Sequence, residues 1–265
     1  MSLKAFAAPL ALGLAVTGMA MTPAAPATAA TRKVPAAFVS GIVNKGLSSS
    51  KIHLNSHGSR RGNSYHKAKS SYVNLYGAKK VFTLPEQSFK LLKRRLYIYN
   101  VSNVNSRSMK LTPQGRYFDL TIKFESSGPE IKGMCRRKKV FKGWGNCIIG
   151  ADKGAPDINW KSPSVKVRLV PQAYNGGIIL RATKVTVGGQ FQANGICRIG
   201  RDVCNRFTGY KSRIKGAVAS SVKAQINSTS VKRQMATSTK RGLSRLGLPA
   251  IKGVSMSGGF IRVRY

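Results

Sequence analysis

Residues 165–187 read VKVRLVPQAYNGGIILRATKVTV, and this stretch decides the fold class. Val165, Val167 and Leu169 alternate with Lys166 and Arg168, the period of two expected of a strand with one buried face. Tyr174-Asn175-Gly176-Gly177 follows, and Asn-Gly accepts the positive φ that a tight hairpin needs. Ile178 to Val187 then returns as the partner strand. Gly188-Gly189 marks a bulge or bend, beyond which the strand continues from Gln190 toward Ile196.

Upstream of the hairpin, strand signals recur. Phe118, Leu120, Ile122 and Phe124 point one way, and Asp119, Thr121, Lys123 and Glu125 the other. Leu96 to Val101 is aromatic and β-branched. Tyr72–Tyr76, Lys80–Leu84, Ile131–Met134 and Val140–Trp144 are shorter candidates, and Pro85–Lys90 is expected to open one helical turn. Residues 31–47 carry Phe38, Val39, Ile42, Val43 and Leu47 at helical spacing. Residues 48–71 are Ser-, Gly-, Lys- and Arg-rich and read as a flexible basic loop.

Downstream, residues 208–246 switch to helix. Ile214, Val218, Val222 and Ile226 are spaced by four. After Asn227-Ser228-Thr229-Ser230, Val231, Met235, Leu243 and Leu246 set a second register, so this site is a kink or a second helix capped by Ser230. Gly247 and Pro249 end the helix, and Gly253–Ser257 with Phe260–Tyr265 close the chain as strands. Clustered strands followed by a long amphipathic helix make the class α+β rather than α/β. The expected division is a leader over 1–30, a short helix and basic loop over 31–71, and one α+β domain over 72–265.

Charge supplies the functional constraint. The 265 residues hold 46 Lys+Arg against 7 Asp+Glu, a net +39. Such an excess raises self-repulsion in the compact state and points to an anionic partner. From Val203 to Tyr265 there are thirteen Lys and Arg and no Asp or Glu. Arg206, Lys211, Arg213, Lys215, Arg233, Lys240, Arg241 and Arg245 are the expected anion-binding residues. Ile214, Val218, Val222 and Ile226 line an apolar groove or belong to the core.

The opening residues read as a secretory leader: Lys4, an apolar run over Ala5–Ala20, and a small-residue tail in which Ala27-x-Ala29 fits a cleavage site. Losing residues 1–30 removes Lys4 alone and leaves 45 basic side chains against 7 acidic, a net +38. The expected location is therefore the periplasm, the cell envelope or the exterior. After export, Cys135, Cys147, Cys197 and Cys204 favour disulfides, with Cys135–Cys147 and Cys197–Cys204 preferred among three pairings. Spacings of eleven and six residues do not suit zinc.

Catalytic signatures do not emerge. Asp119 and Glu125 share a strand face, but in so basic a chain they read as partners for Lys or Arg. Glu130 reads as structural. His53 and His57 have a metal-compatible spacing, but they lie in the polar loop with no acid or Cys nearby. No nucleophile elbow, phosphate loop or dinucleotide fingerprint occurs, so neither an enzyme nor a cofactor is expected. Asn100-Val101-Ser102 and Asn227-Ser228-Thr229 fit a glycan acceptor pattern.

The order of strand, Gly-rich turn, strand, cysteine loop, long amphipathic helix and final strand resembles the tubular lipid-binding superfamily that includes bactericidal permeability-increasing proteins. The resemblance covers residues 80–265 and lies in element order. It implies a curved sheet wrapped on a long helix and a ligand that is an anionic lipid or lipopolysaccharide. Peripheral membrane contact follows from the basic helix. The rival partner is nucleic acid, with Tyr65, Tyr72 and Tyr76 interleaved among Lys67, Lys69 and Lys79 as a stacking platform. A further rival is a cationic structural protein of the envelope. An outer-membrane barrel ending on Ile261, Val263 and Tyr265 is opposed by the long helix.

Overall fold

The computed structural model describes residues 30–56, 59–61, 64–66, 70–91, 95–125, 130–138, 144–146, 157–193 and 201–265. Residues 1–29, His57, Lys67, Lys69, Val140–Lys142, Cys147 and Cys197 lie outside them, as do the side chains of Tyr65, Cys204 and Arg206. In chain order the elements are β1 (Thr31–Pro35), α1 (Ala36–Leu47), β2 (Lys51–Leu54), β3 (Ser59–Arg61), β4 (Ser64–His66), β5 (Ser71–Leu75), β6 (Ala78–Phe82), β7 (Gln87–Leu91), β8 (Arg95–Val101), β9 (Val104–Gln114), β10 (Tyr117–Phe124), β11 (Ile131–Lys138), β12 (Trp144–Asn146), β13 (Ile158–Tyr174), β14 (Gly177–Ala193), α2 (Arg201–Ile226), α3 (Thr229–Ser244), β15 (Gly253–Ser257) and β16 (Phe260–Arg264). The class is α+β: an eleven-stranded antiparallel sheet curls into a half-barrel against a C-terminal helix pair.

The hairpin of β13 and β14 is the spine. Its register runs from Ile158↔Ala193 to Tyr174↔Gly177, closed by Asn175 (φ 48°) and Gly176 (φ 74°). That is the positive-φ turn expected from Asn-Gly. β10 lies beside β13 with Phe118, Leu120 and Ile122 opposite Leu169, Val167 and Val165. These six side chains are buried together. β9, β2, β5 and β6 extend the sheet from β10, and β11, β8 and β7 extend it from the start of β13. Two bulges bend the spine, between Lys161 and Ser164 and between Arg168 and Leu169. Gly189, at φ 93°, leaves room for the Trp160 indole, whose Nε1 donates to the Gly188 carbonyl (3.1 Å).

Helix α3 packs along β14 and closes its free edge with side chains. The Thr239 hydroxyl accepts from the Ile178 amide (2.9 Å) and lies 2.8 Å from the Ile178 carbonyl oxygen. Two residues along, the Leu180 amide donates to the Met235 sulfur (3.0 Å). Two further, Asn227 accepts from the Ala182 amide (2.9 Å) and donates to its carbonyl (3.1 Å). Asn44 of α1 does the same for Leu111 of β9, accepting at 2.8 Å and donating at 3.1 Å. Strand edges left unpaired would expose hydrogen-bonding groups, and here the helices supply the partners.

Three expectations change. Residues 51–54 are a strand of the main sheet between β5 and β9, because Ile52 and Leu54 alternate into the core. Residues 31–56 thus contribute β1, α1 and β2 to the same core as the later chain. Gln87–Leu91 is a strand paired with β8 instead of a helical turn. The break between helices is capped by Ser228, whose hydroxyl accepts from the Val231 amide (3.4 Å), not by Ser230. The chain's last strand lies in a three-stranded sheet, order β1-β16-β15, rather than in a barrel wall.

Candidate anion-binding faces

Ile214, Val218, Val222 and Ile226 are 0–3% exposed and sit in the central hydrophobic cluster. They are core residues. Their burial leaves the opposite faces of α2 and α3 to carry charge, as the helical period requires.

On α3, Arg233, Lys240 and Arg241 are exposed and come together. Arg233 and Arg241 line two neighbouring clefts. The first, about 400 Å³, is completed by Gly46 and Ser49 at the end of α1, by Tyr76, and by Gln234, Thr237 and Ser238. The second, about 530 Å³, adds Lys240, Ser244 and the hairpin residue Asn175. None of the described residues lining either cleft is acidic. Guanidinium and hydroxyl donors without a competing carboxylate are what a phosphate or sulfate group requires. Arg245 is exposed at the C-terminal cap of α3.

The α2 cations divide. Lys211 and Lys215 both lie 5.9 Å from the centre of the Phe191 ring. Lys215 also donates to the Gly189 carbonyl (3.1 Å). Partial burial, with the neighbouring Lys211 ammonium, holds the Lys215 amine below the usual lysine range. An anion between the two amines would relieve that repulsion. Arg213 faces elsewhere and donates to Gln87 (3.1 Å). Among the expected cations whose side chains are described, those of α2 and α3 thus lie in separate places.

A third face was not foreseen. Arg107, Lys123 and Lys161 surround Phe124, Glu125, Ser162, Pro163 and Ser164 in an open cleft of about 950 Å³. It forms where the register shifts at Lys123/Phe124 and at Lys161/Ser164 fall side by side. The bulge expected at Gly188-Gly189 lies opposite the Lys161/Ser164 shift, but no glycine marks the shift at Lys123/Phe124, so the alternating sequence of β10 gives no sign of the cleft.

Two of the described acids, Glu130 and Asp157, have structural placements. Glu130 is buried and accepts from the Trp160 amide (2.7 Å). Asp157 pairs with Lys132 (3.0 Å) and accepts from the Gly133 amide (2.9 Å). His53 bonds Asn105 (2.8 Å) and packs against the Tyr72 ring (5.3 Å). Tyr72 is further covered by Lys79 (4.4 Å), so its ring is already engaged, and the Tyr76 hydroxyl donates to the Val43 carbonyl (3.0 Å). Asn100 is 1% exposed and Asn227 is bonded to Ala182, which removes both as glycan acceptors in the folded chain. Cys135 is buried and is not a free thiol. No described helix is long and apolar enough to cross a membrane.

No protein-family model matches the sequence, and no curated protein matches it. Among solved structures, the crystal structure of a lipopolysaccharide binding protein aligns with 69% of this chain at 14% identity and a TM-score of 0.36. The chain spans 43% of that protein's length. The match does not establish membership of the superfamily suggested by the element order.

Proposed function

We propose that this chain is an exported, non-enzymatic binding protein for an anionic lipid, lipopolysaccharide or similar envelope polyanion, engaged at its surface. The observation that carries the reading is the pair of clefts on α3, where Arg233, Lys240 and Arg241 converge with no carboxylate among the described lining residues. The net +39 supports it, since the whole chain has too few acids to neutralise its cations internally. The leader-like first thirty residues support export. The buried row Ile214, Val218, Val222 and Ile226 favours recognition of the headgroup over enclosure of an acyl chain beside α2. Against nucleic acid stands the prior engagement of the Tyr72 ring by His53 and Lys79.

The test compares the processed protein with R233Q/K240Q/R241Q on phosphatidylglycerol–phosphatidylcholine vesicles and on pure phosphatidylcholine vesicles. The wild type is expected to bind only the acidic vesicles. The variant is expected to lose on the order of a hundredfold in affinity, three basic side chains near an anionic surface being worth about 1 kcal/mol each. Equal binding by both proteins would remove α3 from the site. Absence of wild-type binding would overturn the reading.

A further inference from the structure

The ends of the described chain meet in a small sheet whose outer face is unusual. β16 lies between β1 and β15, with Lys33 opposite Arg262, Thr31 opposite Arg264 and Pro35 opposite Phe260. On the other side, Gly253, Ser255 and Ser257 oppose Arg264, Arg262 and Phe260. Directly opposed residues share a face. The inner face, with Val34, Met256, Ile261 and Val263, is buried in the core. The outer face therefore presents Lys33, Arg262, Arg264, Phe260 and Pro35, all exposed.

Two features set this face apart from cations scattered at random. Lys33 and Arg262 are like charges directly across a ladder, an arrangement that destabilises a sheet on its own. The three strands, TRKVP, GVSMS and FIRVR, contain no acid to offset them. Arg264 lies over Gly253, where a Cβ would stand 3.0 Å from its Nε, so the missing side chain lets the arginine lie along the face. The second feature is apolar. Phe260 remains 47% exposed at the end of the row, following the Gly258-Gly259 turn (φ 56° and 78°) and opposite Pro35. A row of cations ending in an exposed aromatic matches the chemistry of a lipid surface, phosphates beside an acyl boundary. A polysaccharide or nucleic acid would use the charges and leave Phe260 without a role.

We propose that this outer face is the surface by which the protein lies on an anionic lipid bilayer, with Lys33, Arg262 and Arg264 on headgroup phosphates and Phe260 at the acyl boundary. The inference rests on the anionic-partner reading above and assigns it a second, membrane-facing contact apart from the α3 clefts.

Two measurements test it on the processed, full-length protein. K33Q/R262Q should bind phosphatidylglycerol–phosphatidylcholine vesicles about 25-fold more weakly, at about fivefold per basic side chain. Phe260→Trp should show a blue shift of the added emission on those vesicles and quenching by brominated acyl chains, after subtraction of the wild-type signal. Thermal melts of each variant check that the fold is kept. If the wild type binds and K33Q/R262Q binds equally well, this face is not the contact and the α3 reading stands alone. If K33Q/R262Q weakens binding to vesicles and to heparin alike while Trp at position 260 is not quenched, the face takes soluble polyanions and the bilayer assignment is overturned. If the wild type binds no acidic vesicle, the broader reading fails first.

Discussion

Thr239 has no exposed surface, and its hydroxyl is committed on both sides. It accepts from the Ile178 amide and lies within hydrogen-bonding distance of the Ile178, Met235 and Ala236 carbonyls. Replacing the hydroxyl with a methyl group keeps the volume and leaves the β14 edge groups unsatisfied in the core. Thr239→Val is expected to destabilise the protein by about 1–3 kcal/mol in urea unfolding, and an unchanged midpoint would contradict the edge-closing role. A mid-helix threonine has no strand signature, so sequence reading passed over it. Asn44 and Asn227 were passed over for the same reason: their partners lie 67 and 45 residues away. The residues lining the α3 clefts divide likewise. Arg233, Lys240 and Arg241 were legible from helical spacing, whereas Gly46, Ser49, Tyr76 and Asn175 reach the clefts only through tertiary packing.

At the scale of elements, β13 and β14 were legible because their side chains alternate and the turn between them demands positive φ. β9 was not. Its sequence VNSRSMKLTPQ buries only Val104 and Leu111, and its pairing comes from β10 through backbone bonds that leave little trace in hydrophobic pattern. β2 hid in a polar stretch because four residues with two apolar positions are too few to show a period. The seat of α3 on β14 makes a sharper claim. A Cβ at Gly177 would run into the Ala236 backbone carbonyl, so the start of β14 approaches the helix as closely as a glycine permits. Gly177→Ala should push α3 off the strand and cost about 1–3 kcal/mol. Because Ala236 also lines one α3 cleft, the same change should weaken anion binding. Wild-type stability in that variant, read from a thermal melt, would show that the helix can shift freely.

For the whole molecule, the fold and the charge answer different questions. The core closes around α1, α2 and α3 with side chains from nearly every strand, and β1 ties the start of the described chain to β16 at its end. That closure does nothing to offset 46 basic residues facing 7 acidic ones. Self-repulsion of this size is relieved by salt or by a bound polyanion, and the two compete. The most direct measurement is co-sedimentation of the processed protein with phosphatidylglycerol-containing vesicles across a salt series. The account predicts tight binding at low ionic strength, a steep, continuous loss as salt rises, and no binding to phosphatidylcholine alone. Failure to sediment with acidic vesicles at low ionic strength, or binding indifferent to salt, would contradict it.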